Sequence, residues 1–123
     1  MDSATSLASG VKTVNGYLGV DSDVKSAKTI AEIAAERGMK IGVATNVAVN
    51  HATPSAFYAH DKSRSNYGSL FEQLLSSEVD FATGSTILCK RSGYTPQQYV
   101  EQAEKAGMVF HNSPKAAQAV QDK

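Results

Sequence analysis

The chain has 123 residues, of which 41% are hydrophobic and 20% are charged, the ordinary composition of one small soluble globular domain. Twelve basic residues balance twelve acidic residues, so the net charge is zero and the basic surface of a nucleic-acid-binding protein is excluded. No apolar run is long enough to cross a bilayer, and the residues after Met1 lack the pattern of a signal peptide. The single cysteine, Cys89, excludes an internal disulfide.

A helix and a strand are predicted first along the chain. Residues 26–37 carry apolar side chains at helical spacing, which predicts an amphipathic helix, and Gly38 is placed to end it. Residues 41–45 follow as a short run that is apolar throughout, as expected for a strand buried on both faces. The apolar positions of the helix are Ala27, Ile30, Ala31, Ile33 and Ala34.

Two further helices and a second strand are predicted in the middle of the chain. Thr53 and Pro54 have the residue types of an N-cap and a first helical position, which predicts a helix over residues 54–60. Residues 67–77 form another amphipathic pattern, and residues 79–82 read as the second strand. The apolar positions of the 67–77 helix are Tyr67, Leu70, Phe71, Leu74 and Leu75.

The last third of the chain continues the alternation of helix and strand. Thr95 and Gln98 have the spacing of a capping box, which predicts a helix that ends at Gly107. A third strand is predicted over residues 108–110, and a last helix begins at Ser113.

The order of these elements predicts the fold class. Strands separated by helices pair in parallel through right-handed crossovers. We therefore expect an α/β fold with a parallel, Rossmann-like sheet and flanking helices, in which residues 1–123 form a single α/β segment. Ligands of such sheets bind beyond the carboxyl ends of the strands, and the segment from His51 to Thr53 lies just beyond the predicted 41–45 strand.

Four side chains suited to metals or anions lie close together in the same segment: His51, Thr53, His60 and Arg64. Each also has an ordinary structural explanation, because a threonine caps helices, a histidine on a helix packs half-buried, and an arginine near a helix C-terminus complements the macrodipole. The functional explanation is that the guanidinium clamps a phosphate with two hydrogen bonds. The residues alone leave both interpretations open and specify no reaction.

The amino-acid sequence of this segment resembles that of a known protein family. The run NHATPSAFYAH from Asn50 to His60, followed by Arg64, closely resembles the alkaline phosphatase family. The stretches Gly10 to Asp21, 29–45, 79–84 and 107–112 resemble other parts of the same family. The resemblance implies an α/β fold of which this chain is an incomplete portion, an internal part of a longer phosphatase.

The resemblance also implies roles for particular residues. Thr53 corresponds to the direct magnesium ligand, and His51 lies where one branch of the family has a histidine near the metal, acting through water. Arg64 corresponds to the catalytic arginine that grips the phosphate of a phosphomonoester or of inorganic phosphate. His60 has a structural role in this interpretation.

Other parts of the family's machinery are not assigned. Asp2, Ser3 and Ala4 resemble the sequence around the family's serine nucleophile, but the interval from Ser3 to Gly10 is shorter than in the family. We therefore expect the nucleophile upstream, Met1 to be an internal residue, and Ser3 not to be one of the site residues. The zinc ligands of the intact parent are absent here, since the three histidines lack paired metal-ligand spacing.

These absences set what we expect of the isolated chain. Without zinc ligands, it is expected to be inactive as a phosphatase. The parent is expected to be periplasmic or secreted and homodimeric, with no nucleic-acid or membrane partner.

A second function remains open from the sequence. The chain is alternatively a non-catalytic α/β domain derived from the phosphatase fold, which binds an anion through Arg64 and the helix start at Thr53. That domain folds as a monomer and binds phosphate without magnesium. A portion of a larger phosphatase instead exposes apolar surface where neighbouring strands are missing.

Overall fold

The computed structural model describes residues 3–111. Five helices and two strands lie in this part of the chain, and none of these helices is long and apolar enough to span a membrane. The predicted helix beginning at Ser113 lies outside the described residues. In chain order the elements are α1 Ser3–Ser9, α2 Ile30–Glu36, β1 Gly42–Ala44, α3 Ala52–Ser55, α4 Tyr67–Ser76, β2 Phe81–Thr83 and α5 Pro96–Lys105.

The two strands form a parallel sheet, which confirms the predicted α/β class with flanking helices. Gly42 pairs with Phe81 and Ala44 pairs with Thr83. The connection between the strands contains α3 and α4, as a parallel pair requires. The predicted third strand at 108–110 is wrong, because this stretch has no ladder partner among residues 3–111.

One face of the sheet is open, contrary to the prediction of a strand buried on both sides. Gly42 and Ala44 are exposed in β1, and only Val43 between them is partly buried. The opposite strand repeats the pattern, and the side chain of Phe81 is 56% exposed. Parallel sheets are normally covered on both faces, so residues 3–111 do not supply the layer over this face that the apolar sequence of β1 led us to expect.

The hydrophobic core lies where α4, α5 and the segment around α3 meet. Leu70, Phe71 and Leu74 of α4 are buried there, which confirms the predicted apolar face of this helix. The ring of Phe71 packs edge-on against that of Tyr99 with their centroids 4.4 Å apart. Aromatic pairs in this arrangement are favoured beyond their buried area.

The second helix differs most from its prediction. It begins at Ile30 because Thr29 accepts a hydrogen bond from the Glu32 N–H while the Glu32 carboxylate accepts one from the Thr29 N–H, a complete capping box. Within α2 no residue of the predicted apolar stripe is fully buried: Ile30 is 61% exposed and Ile33 is 40% exposed. Its end is as predicted, with Gly38 at a positive φ of 81°.

The fifth helix confirms its prediction closely. Thr95 and Gln98 form the predicted capping box, with Pro96 as the first helical residue. Gly107 follows the helix end at a φ of 82°. The first helix, α1, was not predicted from residue patterns, and it buries Thr5 and Ala8.

Candidate functional site

A cleft of about 320 Å³ lies between α1, α3 and the turn that contains Arg64. It brings the three predicted site residues, His51, Thr53 and Arg64, to one place. They come from a loop, a helix and a turn, so their closeness in sequence does not by itself place their side chains at the same cleft. The lining residues are Ser3, Ala4, Leu7, His51, Ala52, Thr53 and Arg64.

The loop before α3 is fixed by a fully buried amide. The side-chain NH₂ of Asn50 donates to the carbonyls of Tyr67 and Leu88 at 3.2 and 3.0 Å, and its oxygen accepts the N–H of Leu88 at 2.8 Å. A buried amide with these partners is satisfied and therefore rigid. Because Asn50 immediately precedes His51, these bonds fix the position of the His51 backbone.

A buried tyrosine holds the same loop from the other side. The hydroxyl of Tyr58 donates to the carbonyl of Val49 at 2.6 Å and also contacts the Ser55 hydroxyl at 2.9 Å. Burial raises the pKa of Tyr58 far above its usual value, against the smaller opposing effect of Ser55. The hydroxyl therefore stays protonated and keeps its donor role.

Thr53 is not the helix cap that the sequence predicted. α3 begins at Ala52, and its N-cap is His51, whose side chain makes no capping bond. Thr53 lies inside this four-residue helix with its side chain exposed, because the helix begins two residues earlier than predicted. Its hydroxyl is consequently not needed for capping and remains available at the cleft.

Arg64 lies in a turn, not near a helix C-terminus as predicted, because α3 ends at Ser55. Its backbone N–H donates to the carbonyl of Gly16 at 2.8 Å, which fixes the turn against the segment after α1. The side chain is half-buried, and within residues 3–111 its guanidinium forms no ion pair. Its donors are thus free to bind an anion in the cleft.

His60 lies away from the cleft lining and beyond the end of α3, not on a 54–60 helix. Its ring contacts the carbonyl of Gly19 and the carboxylate of Glu32. These contacts join α2 to the segment that leads to Arg64. The arrangement agrees with the structural role expected for His60.

The donor atoms near the cleft fit only one of the two metals that the resemblance implies. No group of three His, Cys, Asp or Glu side chains able to hold a metal occurs in the described part of the chain, so these residues do not fit zinc. The hydroxyl of Thr53 is an oxygen donor of the kind magnesium prefers. Nδ1 of His51 is buried and has no hydrogen-bond partner among residues 3–111. These two residues fit part of a magnesium site.

The structure adds residues that sequence reasoning set aside or missed. Ser3 lines the cleft from the first turn of α1, with its side chain exposed. Asn50 and Tyr58 were not recognised as positioning groups. Their positions inside an apolar-rich run were the available signal, because a polar side chain there needs buried partners.

Comparison with known proteins identifies the family. The family model described as alkaline phosphatase matches residues 2–84. Alkaline phosphatase 3 of Bacillus subtilis (strain 168) is 38% identical over 77 residues, which cover 63% of this chain and 17% of that protein.

Solved structures of similar fold are also alkaline phosphatases. The cold-active enzyme of Shewanella sp. aligns with a TM-score of 0.79 and 36% identity, over 91% of this chain and 27% of that one. A variant of the enzyme from the Antarctic bacterium TAB5, solved with magnesium bound, aligns with a TM-score of 0.72 and 31% identity, over 82% of this chain and 30% of that one.

These proteins are several times longer than the matched region, and the chain spans 17% of the Bacillus protein and 27% of the Shewanella chain. Within that region, the family model covers more than half of the chain, including the loop and helix that hold His51 and Thr53 and the turn that holds Arg64. The chain belongs to the alkaline phosphatase family, whose members are metal-dependent hydrolases of phosphate esters.

Proposed function

We propose that this chain is a portion of a metal-dependent phosphomonoester hydrolase and carries its phosphate-binding arginine and part of its magnesium site. Arg64 binds the phosphate, the Thr53 hydroxyl is a magnesium ligand, and His51 acts near the metal through water. The observation that carries the proposal is the shared cleft of these three residues, in which the guanidinium has no acidic partner among residues 3–111.

The chemistry of Arg64 suits a phosphate group. A guanidinium presents parallel N–H donors that match two oxygens of a phosphate, and it stays charged at all working pH values. The backbone bond from Arg64 to Gly16 holds the turn, so the side chain approaches the cleft from a fixed point. The apolar side chains of Ala4 and Leu7 border the cleft.

The role of Thr53 follows from its freedom at the cleft. An exposed hydroxyl that caps no helix is free to coordinate, and magnesium takes hydroxyl, carboxylate and water oxygens. When bound, magnesium supplies positive charge close to the phosphate. His51 offers a nitrogen donor, which binds magnesium less readily than oxygen does, so its contact through water is the chemically preferred one.

The exposed apolar surface supports a portion of a larger fold rather than a self-contained domain. Phe81, Ile30 and Leu7 are 56%, 61% and 78% exposed, although they belong to regular elements. We propose that residues 1–123 act as one α/β segment of a longer phosphatase that is exported and homodimeric. The zinc chemistry of that protein belongs to residues other than those described here, so the chain alone hydrolyses no phosphomonoester at a measurable rate.

The experiment is a titration of the full chain with inorganic phosphate, followed by calorimetry and ³¹P NMR, with and without magnesium. We expect phosphate binding that tightens when magnesium is present. Arg64→Gln abolishes most of the binding, whereas Arg37→Gln, which removes an exposed guanidinium outside the cleft, leaves it unchanged. Equal losses in both variants would show that phosphate binds nonspecifically.

A second pair of variants tests the metal role. Thr53→Val keeps the shape of the side chain and removes the hydroxyl, and Thr86→Val makes the same change at an exposed site outside the cleft. The magnesium effect disappears in the first variant only. Phosphate binding that ignores magnesium in the wild-type chain would favour the non-catalytic anion-binding domain instead.

A further inference from the structure

Asn15 and Gly16 form the middle of a tight turn between α1 and α2. The Tyr17 N–H donates to the carbonyl of Val14 at 3.0 Å, which closes the turn around them. Gly16 has a φ of +94°, a conformation that glycine adopts without strain. Asn15 is exposed, so water reaches this pair of residues in the folded chain.

An asparagine that precedes a glycine reacts with its own backbone. The backbone nitrogen of the glycine, once base has removed its proton, attacks the side-chain carbonyl carbon of the asparagine. A new N–C bond forms, the C–N bond of the side-chain amide breaks, and the amide nitrogen takes up a proton and leaves as ammonia. Water then opens the resulting cyclic succinimide at either carbonyl, which gives aspartate or isoaspartate without any oxidant or reductant.

The surroundings of Gly16 leave room for this reaction. The hydrogen bond that closes the turn joins Val14 to Tyr17, so it does not engage the Gly16 nitrogen. A Cβ at Gly16 would meet no atom within 4 Å, and the nitrogen is therefore not crowded from this side. Of all the asparagines in the sequence, Asn15 alone is followed by glycine.

The same turn holds Arg64. The carbonyl of Gly16 accepts the N–H of Arg64 at 2.8 Å, and close by Leu18 and Asp61 exchange two backbone hydrogen bonds of the same length. Isoaspartate carries the backbone through the former asparagine side chain and so inserts a methylene group just before Gly16. Because a hydrogen bond tolerates little change in distance and angle, the displaced carbonyl no longer accepts the Arg64 N–H well.

We propose that Asn15 is a site of spontaneous deamidation, and that isoaspartate formed there releases the Arg64 turn from the segment after α1. The chain thus carries a slow chemical modification that loosens the side of the cleft where Arg64 lies. A resulting loss of phosphate affinity rests on the proposed function of Arg64, whereas the modification and the release of the turn do not.

The first test locates the modification. The full chain is kept in warm buffer at neutral and at mildly alkaline pH, and its peptides are then mapped by mass spectrometry and chromatography. Aspartate and isoaspartate accumulate at Asn15, faster at the higher pH because base removes the Gly16 proton. Asn46 is the internal control, since it is also exposed but precedes the β-branched Val47, whose side chain hinders the nitrogen. An Asn15 amide that lasts as long as that of Asn46 overturns the proposal.

The second test measures the release of the turn by amide hydrogen exchange. Conversion adds a negative charge, so anion exchange separates the converted chain. In that chain the Arg64 N–H exchanges about fivefold faster, the equivalent of one hydrogen bond's net contribution. The Tyr99 N–H, which donates to Thr95 within α5, keeps its rate. An unchanged rate at Arg64, or an equal increase at Tyr99, overturns the local release.

A matched variant separates the added charge from the altered backbone. Freshly prepared Asn15→Asp carries the same charge on a normal backbone, so its Arg64 N–H exchanges as slowly as in the unmodified chain. Fast exchange in this variant would show that charge alone loosens the turn and would overturn the role of isoaspartate.

Phosphate titration then distinguishes this inference from the proposed function. The converted chain binds phosphate about fivefold more weakly than fresh chain, and Asn15→Ser, which forms no succinimide, keeps its affinity through the same incubation. If fresh chain binds no phosphate, the proposed function fails, while mapping and hydrogen exchange still decide the modification. If fresh chain binds phosphate through Arg64 and conversion leaves the affinity unchanged, the function stands and the effect of the modification on the cleft is overturned.

Discussion

Asp80 and Ile41 are joined through both backbone and side chain. The Ile41 N–H donates to the Asp80 carboxylate at 2.9 Å, and the Asp80 N–H donates to the Ile41 carbonyl at 2.9 Å. The pair stands directly before β1 and β2, so it aligns the first residues of the two strands. In a sheet of two short strands, such an end contact replaces ladder bonds that longer strands would supply.

This contact predicts a dependence of stability on pH. The hydrogen bond from Ile41, assisted by Lys40, lowers the pKa of Asp80 below its usual value despite some opposing desolvation. Because the folded-state pKa lies below the unfolded one, the carboxylate stabilises the fold above the unfolded pKa. The contribution is lost as the pH falls through the folded pKa.

The measurement is the midpoint of thermal unfolding between pH 7 and pH 3. Asp80→Asn lowers the midpoint at pH 7 and makes the acid-induced loss smaller than in the wild type. Asp23→Asn is the matched control, because the Asp23 side chain is exposed and accepts no hydrogen bond recorded for the described residues. An acid-induced loss of equal size in wild type and Asp80→Asn would contradict the assigned role.

Gly19 is required by a close approach of two backbone segments. A Cβ at this position would lie 2.0 Å from the carbonyl oxygen of Ala59, and the residue has a φ of +60°. Gly19→Ala is expected to lower the free energy of unfolding by at least about 2 kcal/mol more than Gly16→Ala. Gly16 also has a positive φ but open space around it, so the comparison by chemical denaturation isolates the clash.

Helix ends were predictable where one local motif decides them. The capping box of Thr95 and Gln98 and the glycines after α2 and α5 act over a few residues, and the structure confirms them. The predicted start of α2 was wrong although Thr29 and Glu32 form an equivalent box. Ala27 fits the helical spacing of the apolar residues, and the prediction therefore began the helix too early. Ala27 is buried, but it lies outside the helix, and its N–H donates to the carbonyl of Gly19.

For the strands and the site as well, the predictions were correct only where neighbouring residues decide the structure. The sheet pairing follows from the alternation of elements, whereas the missing strand at 108–110 and the open face of β1 depend on what lies beside them. His51, Thr53 and Arg64 share a short segment, so their grouping was accessible. The bonds of Asn50 to Leu88 and of Glu32 to His60 join residues 38 and 28 positions apart, which local patterns do not encode.

Asn50 is predicted to be the most sensitive polar position near the cleft. Removing its buried amide in Asn50→Ala leaves the N–H of Leu88 and two carbonyls without their partner in a partly buried place. We expect a loss of about 3 kcal/mol in the free energy of unfolding. Asn46→Ala, at an exposed position, should change it by less than about 0.5 kcal/mol, and similar losses in both variants would refute the buried network.

Phe81 and Phe71 provide a last contrast, between an apolar side chain that the described residues cover and one that they leave open. Phe71 is 3% exposed in the core, and Phe71→Ala is expected to cost about 3–5 kcal/mol of unfolding free energy. Phe81 is 56% exposed on the open sheet face, so Phe81→Ala changes stability little. It should instead reduce self-association in sedimentation velocity, because an uncovered apolar face attracts another surface.

The same pair of variants separates two states of the isolated chain. If the sheet face is open in solution, self-association falls in Phe81→Ala while the unfolding midpoint stays near that of the wild type. If Phe81→Ala is destabilised as strongly as Phe71→Ala and association is unchanged, the ring is covered by the chain itself. Its face would then not be the place where further strands and helices of a phosphatase fold pack, and the exposure of Phe81 would no longer support a portion of a larger protein.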